Sequence, residues 1–210
     1  AVPGAKDGTL DIWCGTQGVA GIAEQIAKAL SMERCDVRVQ TGDVGGSFGM
    51  RGALFVEIVL VLWAAQRVGR PVKWAASRTE SFVSDHHGRD VISDAELALD
   101  EAGKFVGLRV SIKTNMGAYL SIKGPRSPLN ALTLLAGCYK ISACDVSASG
   151  VMTNTVPTAP YRGAGGPEAA YVLERLIDKA AMETGIDRVD VRRRNLIAAA
   201  DMPYDTGLGL

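Results

Sequence analysis

Two histidines, no Cys-x-x-Cys pair, no excess of either charge and no apolar run of bilayer length are what this 210-residue sequence lacks. Cys14, Cys35, Cys138 and Cys144 stand apart from one another and from histidine, which excludes a zinc framework read from spacing. They are expected to be buried or half-buried free thiols in a reducing compartment, the cytoplasm by default. The 23 Lys plus Arg balance 23 Asp plus Glu, so nothing pulls the chain over long range toward nucleic acid or an anionic membrane. The longest apolar stretch, residues 53–65 broken by Glu57, is shorter than the roughly 20 residues a bilayer span needs. No charged segment followed by an apolar one opens the chain, so no signal peptide is expected. The start at Ala1, without Met, reads as a piece cut from a longer protein.

A hydrophobic share of 47% with 22% charged residues is that of a globular chain and excludes disorder. Alternation over residues 10–14 predicts a strand, and Ile22, Ile26 and Leu30 predict a helix of about 14 residues. Val37 and Val39 mark a second strand. Residues 53–68 are apolar nearly all round, which predicts a buried helix, although periodicity leaves a strand open. Residues 72–74 read as a short strand. Two strands within 89–116 flank a turn at Asp100-Glu101-Ala102-Gly103. A short helix is expected over 129–135 and a strand over 146–153. Gly165-Gly166-Pro167 opens a long helix with Ala169, Val172, Leu173, Leu176, Ile177 and Ala180 as its stripe, closed by Gly185. Asp187 caps a last short helix, with Asp190 in capping-box position. The fold class is α+β, a mixed sheet with packed helices, forming a single domain over 1–210.

Three stretches have the composition for ligand chemistry. In Gly45-Gly46-Ser47-Phe48-Gly49, glycines permit positive φ and close backbone approach, but the loop matches neither nucleotide fingerprint. Gly15-Thr16-Gln17-Gly18 sets a carboxamide, donor and acceptor together, at a strand-to-helix junction. Arg162 lies among small residues just upstream of a helix start, where a planar guanidinium meets anions. Each is also a plain turn when read alone. Asp85-His86-His87 has no third metal ligand at a sensible spacing and reads as a solvated loop. Trp13, Trp63 and Trp74 read as core or interface, and Arg192, Arg193 and Arg194 as a solvated cationic face or a contact with a neighbouring domain.

Taken in order, these motifs resemble one family. Gly-Thr-Gln at 15–17 and Gly-Gly-Ser-Phe-Gly at 45–49 are followed by Gly69-Arg70-Pro71-Val72 and Arg78-Thr79-Glu80. Asn115-Met116-Gly117-Ala118-Tyr119, Cys138-Tyr139-Lys140-Ile141, the run from Tyr161 to Glu168 and Arg192-Arg193-Arg194-Asn195-Leu196 complete the set. The set resembles the molybdopterin-binding large chain of the xanthine dehydrogenase, aldehyde oxidase and carbon monoxide dehydrogenase family, across essentially the whole sequence.

The resemblance implies a molybdenum–molybdopterin cofactor, in its cytosine dinucleotide form, that hydroxylates a C–H bond with oxygen from water. FAD and 2Fe-2S centres would sit on partner chains, a medium and a small subunit. Gln17 would hydrogen-bond an oxo ligand. Phe48 would bring its backbone amide to the metal's ligand sphere, with Gly46, Ser47 and Gly49 shaping the loop, and Arg162 would lie near metal and pterin. The family's catalytic Glu has no counterpart here, so no catalytic residue and no protein metal ligand is expected in the chain, and the isolated piece is expected to be inactive. Purine hydroxylases place Glu, Arg and Phe where this sequence has Gly52, Asn130 and Ala164, which argues against xanthine. Copper-bridged carbon monoxide enzymes place Cys where it has Gly163. An aldehyde or N-heterocycle substrate is expected, as in form II homologues. A noncatalytic scaffold or binding module that keeps only the fold is the alternative.

Overall fold

Residues 1–4, 6 and 8–209 are described by the structure, a computed structural model; Ala5, Asp7 and Leu210 lie outside the described residues. The chain separates into two compact units, Ala1–His86 and His87–Leu210.

In the first unit, β1 (Val2–Pro3) runs antiparallel to β2 (Leu10–Trp13), and β2 connects through α1 (Val19–Leu30) to a parallel β3 (Val37–Gln40). Leu10, Ile12 and Val37 point to one face, and Ile22, Ala23, Ile26 and Ala27 of α1 close over it. The helix has 12 residues and ends where Ser31 turns left-handed. α2 (Val56–Val68) resolves the helix-or-strand ambiguity in favour of helix. It corrects the expectation of burial, however: Leu62 and Ala65 are buried, while Val56, Leu60, Trp63 and Val68 are exposed. α1 already occupies the sheet face, so α2 meets the core along a single stripe. The expected strand at 72–74 is absent. Val72 exchanges bonds with Ala1, but Lys73 and Trp74 join no ladder. α3 (Arg78–Ser84) was not expected, yet its signal is a capping box. Ser77 Oγ accepts from the Glu80 N–H at 3.2 Å, and the Glu80 carboxylate accepts from the Ser77 N–H at 2.6 Å.

The second unit holds β4 (Val91–Leu99), antiparallel to β5 (Phe105–Gly117), then α4 (Arg126–Leu134), then β6 (Cys144–Met152) parallel to β5. α5 (Gly166–Thr184) and α6 (Arg188–Asn195) follow. The β4–β5 turn is the one predicted: Asp100 Oδ1 accepts from the Ala102 and Lys104 N–H groups at 3.0 and 2.8 Å. Phe105, Leu108, Val110 and Ile112 face Ala169, Leu173 and Ile177 of α5, all buried. Each fully buried large side chain among them contributes about 2 kcal/mol. Asp187 caps α6 through Oδ1, accepting from the Val189 and Asp190 N–H groups. Asp190 itself faces Arg193 at 3.6 Å.

Three expectations about side chains are corrected here. Arg192 is no solvated face residue: its guanidinium donates to Glu174 Oε2 at 2.6 Å and Asp178 Oδ1 at 3.0 Å, tying α6 to α5. Glu174 also accepts from the Tyr139 hydroxyl, whose pKa burial and that carboxylate push up to about 12. Trp13, Trp63 and Trp74 are exposed, which excludes the core reading and agrees with the interface one. Cys35 and Cys138 are exposed, while Cys14 and Cys144 are half-buried; all four are free thiols.

Asn195 is the buried polar hinge of the second unit. Its Oδ1 accepts from the Phe105 N–H at 2.8 Å, and its Nδ2 donates to Gly103 and Val191 carbonyls at 2.9 and 2.8 Å. One side chain thereby joins the β4–β5 turn to the last helix. Asn195→Ala orphans these groups and should lower the unfolding free energy by about 3 kcal/mol in urea titrations. Asn195→Asp, unable to donate to either carbonyl, should fail to restore it.

Candidate functional site

The carbonyl of Arg51 organises the first unit's concave side. It accepts from Thr16 Oγ1 at 3.1 Å and from the Gln17 N–H at 3.2 Å, while the Arg51 N–H donates to Ser47 Oγ at 2.9 Å. Thr16 is buried, and its hydroxyl oxygen also accepts from the Gly18 N–H at 3.2 Å. The turn that leaves β2 is thus fastened to the far end of the glycine-rich loop. Between them lies a hollow of about 810 Å³, lined by Cys14, Gln17, Gly46, Ser47, Arg51 and Trp74 among others.

Backbone conformation explains the loop's composition. Gly46, Phe48 and Gly49 have φ of 130°, 53° and 116°. A Cβ on Gly46 would stand 3.0 Å from the Phe48 ring, so the ring lies close only because position 46 has no side chain. Phe48, a non-glycine residue in the left-handed region, is strained and exposed. Among the described residues, the N–H groups of Gly45, Gly46 and Ser47 have no hydrogen-bond partner. Such free donors beside an exposed carboxamide and a guanidinium suit an anionic, oxygen-rich ligand.

His86 is not the solvated loop residue expected. It stacks on Phe55 with ring centroids 4.7 Å apart, and its Nδ1 is buried without a partner. Burial lowers its pKa, against the opposing pull of Asp85 and Glu57. The same Phe55 ring receives the Arg51 guanidinium at 5.1 Å, and Arg51 faces Asp85 at 3.9 Å. Among the described residues, no three His, Cys, Asp or Glu side chains converge as a metal site.

Arg162 belongs to the second unit. Its side chain is exposed, and its carbonyl accepts from Arg89 Nη2 at 2.8 Å. Three successive residues, Gly163, Ala164 and Gly165, have positive φ of 95°, 41° and 98°. A Cβ on Gly165 would fall on the Ser127 carbonyl oxygen of α4. Arg89 braces this loop, stacking 4.5 Å from the Tyr161 ring and facing Glu168 Oε1 at 3.5 Å. Asn130 Nδ2 donates to the Ala164 carbonyl at 3.1 Å.

Of the predicted site residues, Gln17, Gly46 and Ser47 line one hollow. Phe48 and Gly49 continue the same loop, and Arg162 lies on a built loop of the other unit. Sequence reading missed Arg51, Arg89 and His86. The first two act largely through backbone or bracing contacts that leave no motif, while His86 was visible but lacked a sign of burial.

The molybdopterin cofactor-binding domain model matches residues 1–196. The gamma subunit of the 6-hydroxypseudooxynicotine dehydrogenase complex of Paenarthrobacter nicotinovorans is 37% identical over 98% of this chain and 26% of its own length. The carbon monoxide dehydrogenase large chain of Hydrogenophaga pseudoflava is 34% identical over 82% of this chain and 22% of its own. Quinoline 2-oxidoreductase from Pseudomonas putida 86 superposes with a TM-score of 0.93 at 30% identity, over 96% of this chain and 26% of that one. The chain therefore spans about a quarter of the length of these relatives.

The depressed pKa of His86 fixes a pH dependence. The unfolded chain binds a proton near the ordinary pKa of 6.5, while the folded chain binds it only at lower pH, so stability falls as pH drops through that window. The urea midpoint should be lower at pH 5.5 than at 7.5. His86→Phe, which keeps a ring against Phe55, should reduce that difference.

Proposed function

Since this chain belongs to the molybdopterin cofactor-binding domain family, we propose that it forms the cofactor-binding part of the catalytic large subunit of a molybdenum hydroxylase. The observation that carries this reading is the Arg51 backbone, whose carbonyl holds the Gln17 turn and whose N–H holds Ser47, so that both stand around one hollow. The residues present fit the cofactor: in the hollow of the first unit, a neutral carboxamide for an oxo ligand, unpartnered N–H donors on a glycine loop, and the Arg51 guanidinium in the lining. When bound, the molybdenum–pterin group supplies hydroxylation of a C–H bond with oxygen drawn from water. Gln17 would donate from its carboxamide to an oxo oxygen, and residues 46–49 would present backbone N–H groups to the ligand sphere. Arg162 would neutralise anionic ligand oxygens. The cytosine dinucleotide form of the cofactor, and FAD and 2Fe-2S centres on medium and small partner subunits, complete the proposal, with the cytoplasm as its location.

The substrate is a nitrogen heterocycle or an aldehyde. Relatives named for nicotine, nicotinate and quinoline support the heterocycle. A purine is disfavoured: Gly52 has no side chain, and Asn130 is engaged by the Ala164 carbonyl. A copper-bridged site is disfavoured as well. Gly163 has φ of 95°, and a Cβ there would meet the Pro167 ring at 2.6 Å.

The intact large subunit should lose substrate oxidation at least about tenfold on Gln17→Ala, with molybdenum content largely retained. An unchanged rate refutes the role of Gln17. The purified 210-residue chain should hold molybdenum well below one equivalent; a stoichiometric content would overturn the view that the rest of the subunit is needed to retain it.

A further inference from the structure

Residues 87–90 are laid along the segment that leads to Arg162. The His87 N–H donates to the Pro157 carbonyl at 3.1 Å, and the His87 carbonyl accepts from the Ala159 N–H at 2.8 Å. A Cβ on Gly88 would stand 2.7 Å from Tyr161 Cβ, so glycine is what lets the two strands of chain close up. The Asp90 carbonyl accepts from the Asn115 N–H at 3.0 Å, tying the segment to β5. Between these anchors Arg89 has φ of 62°, a left-handed conformation that glycine or asparagine adopts at less cost. What an arginine adds at such a position is its side chain. The guanidinium stacks on Tyr161, faces Glu168 across 3.5 Å and donates to the Arg162 carbonyl at 2.8 Å.

That carbonyl belongs to the peptide on which the turn depends. The Ala164 N–H donates to the Tyr161 carbonyl at 2.7 Å, which sets Arg162 and Gly163 at the two central positions of a β-turn. Arg162 has negative φ and Gly163 a φ of 95°, the type II arrangement. Type I differs by a flip of the central peptide, the closing bond survives in either, and a glycine at position 163 tolerates both. The bond from Arg89 to the Arg162 carbonyl is what distinguishes the two states. With that carbonyl held, the Gly163 N–H points away from Arg89, and it has no hydrogen-bond partner among the described residues. We infer that Arg89 is a positioning residue for Arg162: it holds the peptide between Arg162 and Gly163 in the type II state, which presents the exposed Arg162 side chain and the free Gly163 N–H to anionic oxygens of the cofactor. This rests on the reading of Arg162 as a cofactor contact.

NMR on the 210-residue chain reads the turn without the cofactor. The Arg162 Hα and the Gly163 amide proton are close in type II and far apart in type I, so Arg89→Gln should weaken the NOE between them at least about twofold. In the intact large subunit, Arg162→Gln should speed molybdenum loss on dialysis at least about fivefold, and Arg89→Gln should do likewise. The double variant should lose molybdenum no more than about twofold faster than Arg162→Gln, where independent effects would multiply. Arg89→Lys keeps a cation beside Glu168 but not the planar fork, and should move both readouts in the same direction by less. Unchanged β5 amide shifts establish that Arg89→Gln has folded; should it not fold, Arg89→Lys decides in its place. An undiminished NOE overturns the inference, as does an Arg89 variant that keeps molybdenum where Arg162→Gln loses it, or a double variant whose effects multiply. If Arg162→Gln itself loses molybdenum no faster than the native subunit, the cofactor role of Arg162 is what fails, and the role of Arg89 falls with it.

Discussion

A backbone carbonyl, that of Arg51, determines whether the first unit has a site at all. Two turns far apart in sequence, one leaving a strand and one rich in glycine, have little reason to be ordered individually. Thr16 and Gln17 bond the carbonyl of the residue whose N–H bonds Ser47, so ordering either turn helps order the other. The exposed Gln17 side chain gains its position from this arrangement, although its own carboxamide takes no part in it. In the second unit Asn195 plays the corresponding part for the fold, holding a hairpin turn and a helix end through one buried amide.

The regular elements were legible wherever one face meets a core. α1, β4, β5 and α5 followed from apolar spacing, and the Asp100–Gly103 turn from its acidic and glycine residues. Failure came where the pattern names a side chain's preference but not what is available to satisfy it. α2 is apolar on most sides, yet the small sheet is covered by α1, and Trp63 and Leu60 face outward. Arg192 looked like surface charge because Glu174 and Asp178, its partners, lie on a different helix. α3 was missed although Ser77 and Glu80 stand at capping-box spacing, because no apolar stripe accompanies them.

The candidate site was legible in composition rather than in geometry. Glycines at 46 and 49 announced positive φ, which the backbone adopts, and Gln17 announced a carboxamide at a helix entry. What fastens them was invisible, because a main-chain carbonyl contributes no letter to a motif. The same holds for Arg89. It reads as one more arginine, and only its stacking on Tyr161 and its bond to the Arg162 carbonyl reveal a brace.

The left-handed run at Gly163, Ala164 and Gly165 constrains more than its own three residues. With Gly165 seated against the Ser127 carbonyl, α4 and the start of α5 touch backbone to backbone, leaving no room for a methyl group between them. Such a contact cannot be relaxed by choosing another rotamer. Sequence drift at this junction is therefore confined to residues whose side chains turn away from it, and the loop bearing Arg162 inherits the rigidity of two helices rather than the looseness its glycines would suggest.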